Sequence, residues 1–251
     1  MVINFRFKNC RSFYEETDLS MRATTDTQRS ETNTFFVNEN TLTSNDRELL
    51  KSAVIFGANA SGKSNILKAF SYMVNVVKLS SAQIPIVAGN QSFAFNDNAK
   101  NQNSLYEVEF IQNNIYYRYG FELLKGYVKH EWLYKREKRE AKVFERTDEK
   151  LEISGLSAQA IRLIKIPYST LFVSVGNNFN LPINNHIFDV LQWFNSVIIV
   201  FENNANLLDI YTYDNGKYKN LALQILKKAD IGITNFDVVK DKIARSGRQR
   251  R

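Results

Sequence analysis

Residues 52–70 read SAVIFGANASGKSNILKAF. From Gly57 to Ser64 the stretch fits the spacing G-x-x-x-x-G-K-[ST], which wraps a phosphate in main-chain amides. Glycine stands where a Cβ would obstruct the anion. The helix that follows aims the positive end of its dipole at the same point. The Lys63 ammonium suits the β- and γ-phosphates of a nucleotide. The Ser64 hydroxyl suits Mg2+, a hard ion that takes oxygen ligands and keeps several waters. The flanks agree with such a turn. The apolar run 52–56 predicts a short buried strand. Ile66, Leu67, Phe70, Met73, Val74 and Val77 recur at three- and four-residue spacing, as on one face of a helix. The expected phosphate-binding set is Gly57, Asn59, Ala60, Ser61, Gly62, Lys63, Ser64 and Asn65, with Ser64 also a metal ligand.

Upstream, Ile3, Phe5 and Phe7 alternate with polar partners, which predicts a strand over 2–9 with a hairpin partner in 15–23. Residues 24–45 are polar and read as a long loop. Downstream, 80–91 is rich in turns. From Ser104 to Glu145 the pattern predicts an antiparallel meander of four or five strands, with turns near Asn113-Asn114, Lys125-Gly126 and Lys138-Arg139. Beyond it, 156–165 and 187–194 read as helices, 170–175 and 197–201 as strands, 219–229 as a helix and 235–239 as the start of a strand. The whole is an α/β chain in four parts: 1–80 with the phosphate loop, an antiparallel insert over 92–154, a segment over 155–240, and a basic tail at 241–251.

Composition narrows the function classes. The chain has 251 residues, 44% of them hydrophobic and 24% charged, which excludes a disordered or collagen-like chain. No apolar run is long enough to span a bilayer, and the N-terminus does not read as a signal peptide. A single cysteine, Cys10, points to a reducing, cytoplasmic setting and to a packed small side chain rather than a nucleophile. Two histidines make a zinc site a poor expectation. Of the net charge of +7, five charges sit in the last ten residues, so the body is nearly neutral. The charged run 129–150 mixes eight bases with six acids, the pattern of a solvated hairpin rather than a one-signed nucleic-acid face. Trp132, Trp193 and Tyr116, Tyr117 and Tyr119 read as packing residues, and His186 as a surface or satisfied loop histidine.

The loop alone does not name the nucleotide. A guanine-specific Asn/Thr-Lys-x-Asp element is absent, and 56 residues precede Gly57, unlike small-molecule kinases that open on their loop. The opening INFRFKNCRSF (3–13) followed by FGANASGKSNILKAF (56–70) resembles the ATP-binding-cassette-type ATPases of the SMC, RecF and OLD group. Within that group it is similar to the bacterial AAA-family ATPases of abortive-infection and anti-phage loci. IYYRYGFEL (115–123), VKHEWLYKRE (128–137) and VFER (143–146) resemble the group's antiparallel insert. TLFVSVGNNFN (170–180) and VLQWFNSVIIV (190–200) resemble its Q-loop region, and 221–238 the helix and strand after it.

The resemblance implies a P-loop NTPase fold, an ABC-ATPase-like N-terminal lobe with a β-rich insert. It implies ATP and Mg2+ as ligands, ATP hydrolysis, a homodimer bridged by nucleotide, and coupling to an effector protein. It also implies that Arg11 and Ser12 approach the phosphates, with capping of a strand end as the other reading of Arg11. Asn178 stands where the group's Q-loop glutamine helps hold the metal. Two elements of the group are not found, the acidic Walker B strand and the serine-glycine signature loop. Glu202 after VIIV comes too early in the chain for the first. The expectation is the N-terminal portion of a longer or split ATPase that alone binds ATP weakly and hydrolyses it slowly. The other readings are a DNA-maintenance ATPase like RecF or SMC heads, with nucleic acid as a partner, and a different P-loop kinase or GTPase.

Overall fold

Strand β1, Val2–Lys8, buries Ile3, Phe5 and Phe7 on one face and leaves the alternate residues half-exposed, the period-2 pattern of a strand with one apolar side. The computed structural model describes residues 1–25, 29–37, 47–82, 86–148, 150–200 and position 224. The chain divides into Met1–Val197 and Ile198–Arg251. The elements of the first unit follow in chain order. After β1 come β2 (Thr17–Ser20), α1 (Ser30–Asn33), β3 (Thr34–Phe36), β4 (Glu48–Leu50) and α2 (Lys63–Leu79). Then come β5 (Ser104–Gln112), β6 (Ile115–Leu124), β7 (Tyr127–Arg136), β8 (Glu140–Thr147) and β9 (Leu151–Ile153). Helices α3 (Ala158–Ile161), α4 (Phe172–Val175) and α5 (Asn184–Ser196) close the unit.

Seven strands form one antiparallel sheet in the order β2-β1-β5-β6-β7-β8-β9. The predicted hairpin partner of β1 is β2, the predicted meander is β5–β8, and β9 adds one strand beyond the predicted range. Left-handed backbone at Asn113-Asn114 and at Lys125-Gly126 makes the two tight turns. β1 pairs with β5 along Val2–Lys8, so the first strand and the meander share one sheet. Within the polar stretch 24–45, Thr34–Phe36 pairs with Glu48–Leu50 as a small second sheet.

One face of the large sheet carries the core. Phe5 meets Phe70 of α2 edge-on at 4.9 Å, and Phe110 stacks on Trp193 of α5 at 4.1 Å. Met73, Val74 and Val77 of α2 are buried as the helical spacing predicts, while Leu67 is 44% exposed. The other face is a ladder of charge: Arg6 and Arg118 both pair with the buried Glu107, and Arg118 continues to Glu140. The mixed charges of 129–150 largely neutralise one another, as in Lys129–Asp148 at 2.7 Å and Lys142–Glu145 at 2.9 Å.

Four expectations are corrected. Residues 52–56 are neither a strand nor buried: Val54 is 73% and Phe56 88% exposed. A short apolar run becomes a strand only when neighbouring strands take its backbone groups, and none does so among the described residues. Residues 170–175 do not form a strand either. Their last four residues are α4, whose first amides are taken by the buried carboxylate of Glu131, with Phe172 N at 2.6 Å and Val173 N at 3.0 Å. His186 is a buried residue of α5, not a surface one. Residues 197–200 carry no strand. The readings at 201, 219–229 and 235–239 and the tail at 241–251 lie outside the described residues.

Candidate functional site

The loop before α2 is shaped by two left-handed residues, Ala60 (φ 63°) and Gly62 (φ 96°). Ala60 bears a Cβ in a conformation that favours glycine, so the turn is held by its surroundings. Gly62 meets both demands on glycine at once. Its φ is one that side chains rarely adopt, and a Cβ there would lie 2.9 Å from Ser12 Oγ and 3.4 Å from the Phe13 ring. Gly57 is also cramped, since a Cβ would lie 2.8 Å from Ser61 Oγ. Ser61 N donates to Ala58 O at 3.2 Å, which tightens the turn.

Lys63 opens α2 and folds back over the loop. Its ammonium donates to the carbonyl oxygens of Gly57 at 2.7 Å and Ala58 at 2.6 Å. The amides of Lys63 and Ser64 belong to the first turn of a 17-residue helix and have no carbonyl one turn back to bond. The loop from Gly57 to Ser61 is exposed to solvent, and so is Ser64.

A second segment braces this loop. After β1 the chain turns through Asn9 (φ 49°), Cys10 and Arg11 (φ 55°). Asn9 is fully buried and acts as a hub. Its amide nitrogen donates to Ala99 O at 2.7 Å and Gln102 O at 3.0 Å, and its Oδ1 accepts from Phe93 N at 3.1 Å. The Arg11 amide donates to Gln91 O at 2.8 Å. Ser12, next in line, accepts from Asn65 Nδ2 at 3.0 Å. Cys10 is buried beneath the turn, and its sulfur accepts from the Tyr106 hydroxyl at 3.2 Å. Burial pushes its thiol above the ordinary range, which leaves it a packing residue.

The structure therefore brings together Gly57, Asn59, Ala60, Ser61, Gly62, Lys63, Ser64 and Asn65 on the loop and first turn, with Ser12 in direct contact and Arg11 beside it. Arg11 is half-exposed and makes no ion pair among the described residues. Asn178 does not join this group. Ser174, four residues before it, donates to Val77 O at 2.7 Å, and Thr170 Oγ1 donates to Ser80 O at 3.2 Å. Val77 lies thirteen residues along α2 from Ser64, about 20 Å at 1.5 Å per residue. The segment carrying Asn178 is thus tied toward the opposite end of the helix, and no contact among the described residues links Asn178 to the loop. Two contributors were not foreseen: Asn9 as the buried hub, and Phe13 packed against Gly62. The signal for Asn9 was its type, since asparagine tolerates left-handed backbone at a strand end.

The family model described as "AAA domain, putative AbiEii toxin, Type IV TA system" matches residues 52–242. That range contains the loop, α2 and the strands from β5 onward. The chain belongs to this AAA-domain family. Nothing among curated proteins matches it. An AAA domain is a P-loop domain with nucleotide-binding ATPase activity, and its members generally use ATP with Mg2+. The mixed α/β architecture with a mainly antiparallel sheet is consistent with such a domain.

The residues present fit those ligands. The glycine-lined turn, the first-turn amides and Lys63 suit a polyphosphate. The exposed Ser64 hydroxyl offers one hard oxygen to Mg2+, which completes its shell with phosphate oxygens and water. Among the described residues no cluster of His, Cys, Asp or Glu forms a separate metal centre. None of their helices is long and apolar enough to cross a membrane.

Proposed function

We propose that this chain is the ATP-binding lobe of an ABC-type ATPase related to the SMC, RecF and OLD group. In this reading it binds ATP–Mg2+ on residues 57–64 with Arg11 and Ser12 at the phosphates. The bound nucleotide joins two copies, and hydrolysis releases them to control a partner effector in anti-phage defence. The observation that carries the reading is the joint between the loop and the turn after β1, where Ser12 touches both Asn65 and Gly62. Lys63 folds back over the loop, and Arg11 immediately precedes the Ser12 that touches it. Lys63 holds only neutral carbonyl oxygens, so a phosphate offers it a charged acceptor in their place.

Bound polyphosphate supplies the electrophilic phosphorus on which ATP hydrolysis acts. This chain's own residues bind and orient it. The loop amides and Lys63 hold the anion, the Ser64 hydroxyl directs the metal, and the Ser12–Asn65 hydrogen bond keeps the bracing turn in register. Titration calorimetry with ATP–Mg2+ tests the reading. Lys63→Ala is expected to reduce affinity at least tenfold, about 1.4 kcal/mol. Arg11→Ala is expected to reduce it by a smaller factor. Light scattering with ATP is expected to show a dimer that Lys63→Ala removes. Binding that is indifferent to Lys63 defeats the proposal, and a monomer at saturating ATP defeats its dimeric part.

A further inference from the structure

Three aromatic rings run outward from the bracing turn. Tyr14 lies two residues past Ser12, and its ring meets Phe93 at 5.6 Å; Phe93 meets Phe95 at 5.7 Å. The segment that bears the two phenylalanines is fixed to the same turn, by Arg11 N to Gln91 O at 2.8 Å and Phe93 N to Asn9 Oδ1 at 3.1 Å. The turn 9–14 is therefore bonded both to the phosphate loop, through Ser12, and to the aromatic segment. Tyr14 is itself anchored, its hydroxyl accepting from Gln102 Nε2 at 3.0 Å. Phe95, at the end of the row, is 88% exposed.

A phenyl ring held in water on a fixed support keeps a flat apolar face uncovered. The loop, Lys63 and Arg11 account for the phosphates of a nucleotide and leave its base without a partner. We infer that Phe95, supported by Phe93 and Tyr14, is the stacking surface for the base of the nucleotide whose phosphates occupy the loop. This inference rests on the phosphate-site reading above and extends it to the base. Every base has a π-face, so stacking on Phe95 strengthens ATP and GTP alike and does not choose between them.

The test uses the full chain and three ligands, ATP–Mg2+, GTP–Mg2+ and inorganic tripolyphosphate with Mg2+, which has phosphates but no base. Phe95→Ala is expected to weaken ATP and GTP by about tenfold each and to leave tripolyphosphate unchanged. Phe95→Trp is expected to retain ATP affinity, and its new exposed indole to be quenched by ATP but not by tripolyphosphate. The two native tryptophans are buried and supply a steady background. The inference is overturned if Phe95→Ala leaves ATP affinity unchanged, if it weakens tripolyphosphate equally, or if the indole does not respond to ATP. It is also overturned if Phe95→Ala removes a nucleotide-induced dimer without changing ATP affinity. In those cases tripolyphosphate still binds and still responds to Lys63→Ala, which keeps the phosphate site standing. Wild-type protein that binds no tripolyphosphate, or a Lys63→Ala chain that binds it as well as wild type, removes the phosphate site and this inference with it.

Discussion

Gly120 of β6 has no room for a side chain. A Cβ there would lie 2.5 Å from the six-membered ring of Trp132 and 3.0 Å from the Glu107 side chain. The indole lies across this gap so that its N–H reaches Glu107 Oε2 at 2.7 Å. Gly120→Ala is expected to displace the ring, break that bond and lower stability by about 1–3 kcal/mol, read from denaturant midpoints. At this scale the loop residues 57–65 were legible in the sequence, because the chemistry of phosphate binding tolerates few substitutes at fixed spacing. Asn9 was not legible in the same way. Its acceptors are the carbonyls of Ala99 and Gln102, some ninety residues on, and main-chain groups leave no mark in a side-chain pattern.

Periodicity settled the elements that own a one-sided apolar face, namely β1, β5–β8, α2 and α5. It misread residues 170–175, where Thr170, Val173 and Val175 carry strand-forming side chains. Side chains from elsewhere decided that segment. Arg146 donates to Thr170 O at 2.7 Å, Leu171 N donates to Ser80 Oγ at 3.2 Å, and Glu131 takes the first two helical amides and the Tyr119 hydroxyl. With its backbone groups thus occupied, the segment has nothing left to offer a neighbouring strand. The run 52–56 is the converse case, a strand-like sequence without strand partners among the described residues. Glu131→Gln puts an amide donor among these donors, with Arg146 left facing no charge. The expected loss is about 2–4 kcal/mol, measured as a lowered midpoint of thermal or urea unfolding.

Across the molecule, β6 and α5 are joined by a polar contact beside the apolar seam between sheet and helices. The Tyr117 hydroxyl of β6 donates to Asp189 at 2.7 Å and lies 2.9 Å from Nδ1 of His186, both on α5. Since the hydroxyl proton goes to Asp189, the imidazole donates from Nδ1 in return. Burial, and after it the charge of Lys135, hold His186 below its ordinary 6.5, against the opposing pull of Asp189 and Glu137. The unfolded chain takes a proton near that pH and the folded chain resists it. Stability is therefore expected to be full above about pH 7 and to fall as the pH drops through the sixes. His186→Asn is expected to flatten this dependence in urea titrations at stepped pH; an unchanged slope would show that another group is responsible.

Strand β1 sits between β2, a dozen residues away, and β5, whose paired residues lie about a hundred positions later in the chain. During synthesis β1 must therefore wait, edge open, until most of the first unit has left the ribosome. The bracing turn that hangs from its end cannot take its final shape before that moment, because Asn9 needs the carbonyls of Ala99 and Gln102 to lock it. The shape of the brace beneath the loop is thus gated by a loop closure of about a hundred residues.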